Sequence, residues 1–98
     1  MISKVFRKRA EGLKRIAEAA IKELYPQSIV EIEFQHEHRR ELIDEVRFFI
    51  YHPSTLTAWF NWSIHDDEAR FIKTLIRCCW EITNEVILKH EQRLKTQS

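Results

Sequence analysis

The sequence predicts an α+β fold, a single domain over residues 1–98 in the order α-β-β-β-α, with two long helices packed on one face of a three-stranded antiparallel meander. Three observations carry this. Apolar residues recur every three or four positions over 2–25 and again beyond residue 66, they recur every second position in between, and one glycine and two prolines leave few places to break an element.

The first helix spans Ile2 to Tyr25, with Ile2, Val5, Phe6, Ala10, Leu13, Ile16, Ala17, Ala20, Ile21 and Leu24 on its apolar side. Ser3 is placed to cap its start, and Pro26 stops it because a residue before proline resists helical geometry. The alternation Val30, Ile32, Phe34 against Glu31, Glu33, Gln35, Glu37 makes Ser28 to His38 a strand. A second strand runs from about Asp44 to His52, with Val46, Phe48 and Ile50 on the core side. The segment His52-Pro53-Ser54-Thr55 suits a turn, and Leu56 to Ile64 forms a third strand with Leu56, Ala58, Phe60, Trp62 and Ile64 inward. Asp66, Asp67 and Glu68 then suit the positive end of a second helix that continues to about Arg93. Its apolar arc spans roughly 200° where about 100° covers one surface, so it needs two neighbours, with Cys79 at the middle of the arc and Cys78 at its border.

Between Val46 and Trp62 stand Phe48, Phe49, Tyr51, Trp59, Phe60 and Trp62, six of the chain's eleven aromatics, on both strand parities. A first hairpin turning near Glu41 pairs residues whose numbers sum to about 82, and a turn at Pro53 and Ser54 makes the next sum about 108. Phe34, Phe48 and Phe60 then share an inner row, with Ile32, Ile50 and Ala58 beside it. The outer face aligns Glu33, Phe49 and Trp59, then Glu31, Tyr51 and Thr57, then Gln35, Arg47 and Asn61. A bare aromatic sheet face suits stacking on single-stranded bases, but Glu31, Glu33, Glu37 and Glu45 against Arg47 alone leave it at −3, which repels phosphates. Protein interfaces favour aromatics and arginine at their centres.

The α-β-β-β-α order resembles that of the double-stranded RNA-binding domain. The resemblance covers element order alone: His65-Asp66-Asp67-Glu68 stands where that family starts its second helix with basic residues, so no membership follows.

Composition narrows the function further. The chain is 44% hydrophobic and 32% charged, as an ordered soluble domain is, and near absence of glycine removes a phosphate-cradling loop. Adjacent Cys78 and Cys79 diverge by about 100° on a helix and make a poor disulfide, which fits a reducing compartment. No apolar run suits a membrane span, and Lys4, Arg7, Lys8 and Arg9 occupy the place of a signal peptide's apolar centre, so a cytoplasmic location without membrane contact is expected. The glycosylation-like triplet Asn61-Trp62-Ser63 carries no meaning there. Net charge is +1 overall, but residues 1–15 hold +5 and residues 16–98 hold −4. That asymmetry suits contact with an anionic surface or an acidic part of another copy.

His36 and His38 share a strand face, with Asp44 opposite His38 and His65 at the same end, which is a geometry for zinc without any recognised ligand spacing. Cys78 and Cys79 suit small buried side chains, and the acids at the second helix start have a sufficient structural reason. Neither catalysis nor a cofactor is expected. The expected function is a small intracellular interaction protein of the adaptor, inhibitor or accessory kind, as in phages and mobile elements. It binds a protein partner or a second copy of itself through Arg47, Phe49, Tyr51, Trp59 and Glu33 of the sheet, with Trp80 and Ile87 of the second helix. The alternative is nucleic-acid binding by Arg7, Lys8, Lys14 and Arg15 on the first helix. A second alternative is a metal-dependent enzyme using His36, His38 and His65.

Overall fold

Both periodicities become elements in the computed structural model, which describes residues 2–38, 41–53 and 57–97, with backbone alone at 37, 38, 41, 42 and 97. In chain order these are α1 (Lys4–Leu24), β1 (Ile29–His38), β2 (Glu41–Tyr51), β3 (Ala58–Ser63) and α2 (Glu68–Gln97). The strands form one antiparallel sheet in the order β1-β2-β3.

Ser3 caps α1: its backbone is extended (φ −67°, ψ 146°) and its Oγ accepts the Phe6 N–H at 3.1 Å. The helix ends before Pro26, where the Tyr25 N–H still reaches the Ile21 carbonyl at 2.7 Å. Asp67 caps α2 by accepting the Arg70 N–H at 2.8 Å. Asp66 accepts the Ser63 N–H at 2.8 Å and pairs with the Arg70 guanidinium. Burial pushes the Asp66 carboxyl up, but those two donors outweigh it and leave its pKa below the ordinary 3.8.

The core lies between the sheet's inner face and both helices. Phe6, Ala10, Leu13, Ala17 and Ile21 of α1, and Phe71, Leu75, Cys78 and Ile82 of α2, meet Val30, Val46, Phe48, Ile50, Phe60 and Trp62 of the sheet. Its aromatics stack in two groups. Phe6 stacks on Trp62 at 5.4 Å, Phe48 stacks on Phe60 at 5.0 Å, and Phe71 tilts against both at 5.2 and 5.7 Å. Trp62 is buried with its Nε1–H donated to the Asp67 carbonyl at 3.2 Å, which joins the end of β3 to the start of α2. α1 lies over β1 and β2, α2 lies over β3, and the Tyr25 and Thr83 hydroxyls, 2.8 Å apart, tie the end of α1 to α2.

Several details differ from the sequence expectation. β2 begins at Glu41, which pairs with His38, so Glu41 belongs to the strand rather than to the turn. Between Gln35↔Glu45 and Glu37↔Leu42, β2 advances three residues while β1 advances two, a bulge that puts Ile43 and Asp44 opposite His36. Pairs from Ile29↔Tyr51 to Gln35↔Glu45 therefore sum to 80, and Phe34, Ile32 and Val30 stand opposite Val46, Phe48 and Ile50. The facing assignments survive because a two-residue shift preserves parity. The second hairpin keeps the expected register, with Phe48↔Phe60 and Phe49↔Trp59. β3 ends at Ser63, which leaves Ile64 exposed rather than inward. α2 extends past Arg93 to Gln97, and Cys78 rather than Cys79 sits in the core. Ser54, Thr55 and Leu56 lie outside the described residues. Among the described residues, no helix is long and apolar enough to cross a membrane.

Candidate protein-binding surface

From Ile29 to Gln35 of β1, Glu45 to Tyr51 of β2 and in β3, odd-numbered positions point away from the helices, and Ile29, Glu31, Glu33, Tyr51 and Trp59 among them are exposed. Along this face the rows are Ile29 and Tyr51, then Glu31, Phe49 and Trp59, then Glu33, Arg47 and Asn61. Trp59 is 54% exposed, Tyr51 is also exposed, and the Phe49 and Tyr51 rings stack at 6.2 Å. Arg47 is held in place: its Nε donates to Asn61 Oδ1 at 3.1 Å while its guanidinium lies 5.2 Å from the Trp59 ring centre. A guanidinium held by an amide and a ring presents its remaining donors with less conformational freedom to lose.

The register change alters the composition of the patch. Tyr51 faces exposed, apolar Ile29 instead of Glu31, which enlarges the apolar area. Ile29 was legible from strand parity alone, since it shares the parity of Glu31 and Glu33. Glu31 and Glu33 form an exposed acidic rim, whereas Glu45 is buried and the Glu37 side chain lies outside the described residues. Trp80 and Ile87 are exposed on α2, at 65% and 49%, on the helical side of the molecule and thus away from the sheet patch. The structure therefore divides the expected binding residues between two surfaces.

The basic side chains of α1 do not form one free cationic stripe. Arg7, Lys14 and Arg15 border a hollow of about 580 Å³ that Glu11 and Glu18 also line, above Ile32 and Phe34 of β1. Within it the Arg7 guanidinium lies 4.4 Å from the Phe34 ring centre, and Lys14 Nζ is 3.5 Å from Glu18 Oε1. Lys8 is exposed and outside that lining. Arg9 covers the Trp62 ring at 5.1 Å, so two of the helix's cations serve as covers for core aromatics.

Asp44 is opposite His36, not His38, because of the shifted register and the bulge. His36 Nδ1 lies 2.8 Å from Asp44 Oδ1, and Asp44 Oδ2 accepts the Ser3 N–H at 3.0 Å. The Ser3 N–H and the His36 ring hold the Asp44 carboxyl below its ordinary 3.8, against burial that raises it. The His38 side chain lies outside the described residues, and among the described ones no three His, Cys, Asp or Glu side chains converge as a metal site. Burial pushes the Cys78 thiol up to about 11 and raises Cys79 as well, the reverse of what a reactive thiolate needs.

This architecture defines a small α+β domain with an open, aromatic sheet face. Comparison with protein-family models, with curated proteins and with solved structures returns no match.

Proposed function

We propose that the protein is a non-enzymatic intracellular interaction module, an adaptor, inhibitor or accessory protein, that binds another protein on the outer face of its sheet. The observation that carries this reading is the cluster of Phe49, Tyr51 and Trp59 around the immobilised Arg47. Aromatics and arginine supply most of the energy at interface centres, because large rigid groups lose little entropy when covered. The exposed rim of Glu31 and Glu33 favours a partner with apolar side chains bordered by lysine or arginine.

The experiment is affinity capture from a native lysate with the wild-type chain and a Tyr51→Glu/Trp59→Glu variant, each with and without nuclease. The expected result is proteins retained by wild type, lost with the variant and unaffected by nuclease, while the variant keeps its thermal midpoint. Identical retention by the variant would refute the sheet face as the binding surface. Retention abolished by nuclease would shift the assignment to Arg7, Lys8, Lys14 and Arg15 on α1.

A further inference from the structure

α2 is longer than the sheet it covers. Ile82 is its last fully buried side chain, and residues 87–96 are exposed throughout. At about 1.5 Å per residue those ten residues add roughly 15 Å of helix. They contribute to a molecule 56 Å long and only 28 by 20 Å across. A helical end of this length has little stability of its own in water.

Four exposed apolar residues of α2 have an order of their own. Ile76, Trp80, Ile87 and Leu94, with half-buried Thr83, which holds the Tyr25 hydroxyl, and exposed His90 filling the intervening positions, follow one another at steps of four, three, four, three and four, the a/d spacing of paired helices. Ile76, Trp80, Ile87 and Leu94 are 52%, 65%, 49% and 54% exposed. At 100° per residue this stripe is turned roughly 130° from the core line of Phe71, Leu75, Cys78 and Ile82, so it is a second seam and not the margin of the first. Beside it lies an apolar hollow of about 320 Å³ lined by Leu24, Ile76, Cys79, Trp80 and Thr83.

We infer that a second copy of this chain occupies the seam, with the two α2 helices antiparallel and residue numbers summing to about 170 across the contact. Leu94 then meets the partner's Ile76, Ile87 meets the partner's Thr83, and His90 meets the partner's Trp80. Two features select this arrangement. The end of each α2 that has no support in its own chain lies over the other copy's hollow, and the two-fold relation closes the assembly at a dimer. Charge agrees with it. Arg77 and Glu91 both occupy the e position beside the stripe, and antiparallel helices set e against e, so each Arg77 meets the partner's Glu91 twice over by symmetry. Parallel helices set e against g and would put these charges against the partner's Ile72 and Val86. The inference rests on reading α2 as a protein-binding surface, but it uses none of Phe49, Tyr51 or Trp59 and leaves the sheet face open for a different protein.

Sedimentation equilibrium across micromolar concentrations tests it. Wild type should approach twice the 11.9 kDa chain mass. Ile87→Asp with Leu94→Asp should weaken self-association by roughly thirtyfold or more, the scale of losing central anchors. Both side chains are exposed and outside the core, so near-ultraviolet circular dichroism from the buried aromatics should be kept, while the projecting end loses helix as its partner is lost. Arg77→Glu and Glu91→Arg should each weaken the dimer, and the two together should restore it. A wild type that stays at one chain mass overturns the inference, as does a dimer that survives the Ile87/Leu94 variant or a double charge swap no better than either single one. If Trp59→Glu alone dissociates the dimer, the second copy sits on the sheet face and the α2 seam is refuted. A monomeric wild type whose sheet variant still loses its captured protein would overturn this inference and leave the proposed function standing.

Discussion

Asp44 fastens four parts of the chain at one end of the inner face. Its side chain accepts from Ser3 at the start of α1 and bonds His36 of β1, it belongs to β2, and its carbonyl accepts the Ile64 N–H after β3 at 3.0 Å. Its folded pKa lies below 3.8, so in acid the unfolded chain binds the proton more readily. The stability it supplies is complete above its ordinary pKa and is lost as pH falls through the lower folded value. Asp44→Ala should cost about 2 to 3 kcal/mol at neutral pH, the scale of charge-assisted hydrogen bonds. It should also flatten the fall in stability below about pH 4. Urea unfolding measured from neutral pH to pH 3 checks both; an unchanged acid limb in the variant would show that other carboxylates carry it. The sequence names Asp44 and the histidines as neighbours but assigns it the wrong histidine, since a bulge leaves no local mark in residue identity.

At the scale of elements, α2 carries two stripes in one helix. Hydrophobic periodicity shows their sum as a single 200° arc and centres it on Cys79, between the core line that contains Cys78 and the seam that contains Trp80. Only the placement of the sheet separates them. If the seam pairs two copies, backbone amides of 88–96 should exchange slowly with solvent at concentrations where the dimer forms and fast in the Ile87→Asp/Leu94→Asp monomer. Exchange that is equally fast in both would mean the projecting end gains no partner. The strands were legible to within a few residues, and their register less so. The second hairpin was legible because Pro53 marks its turn, whereas Arg39, Arg40 and Glu41 offer no comparable turn residue and the first came out two residues off.

Over the whole molecule, the helices cover one side of the sheet and leave the other to solvent, so neighbouring residues on a strand differ in what they hold together. Phe60 packs between Phe48 and Phe71, and Phe60→Ala should cost about 3 to 5 kcal/mol. Trp59→Ala, one position earlier, should stay within about 1 kcal/mol, because it gives up an exposed ring and its contact with Arg47. Denaturant midpoints of the two variants make the comparison, and a large loss for Trp59→Ala would mean that the outer face serves folding rather than binding.

Residue order by itself determined the five elements, the cap at Ser3, the acidic start of α2 and the inward parity of the strands as far as Ser63, because each depends on contacts only a few positions apart. Tertiary structure decided what depends on distant parts of the chain. It set Ile29 rather than Glu31 beside Tyr51, fixed Arg47 between Asn61 and Trp59, drew Arg7 and Arg9 onto core aromatics, and split the apolar arc of α2 into a buried line and an exposed seam. A period tells which way a side chain points, but only the packed neighbours decide whether anything is there to meet it.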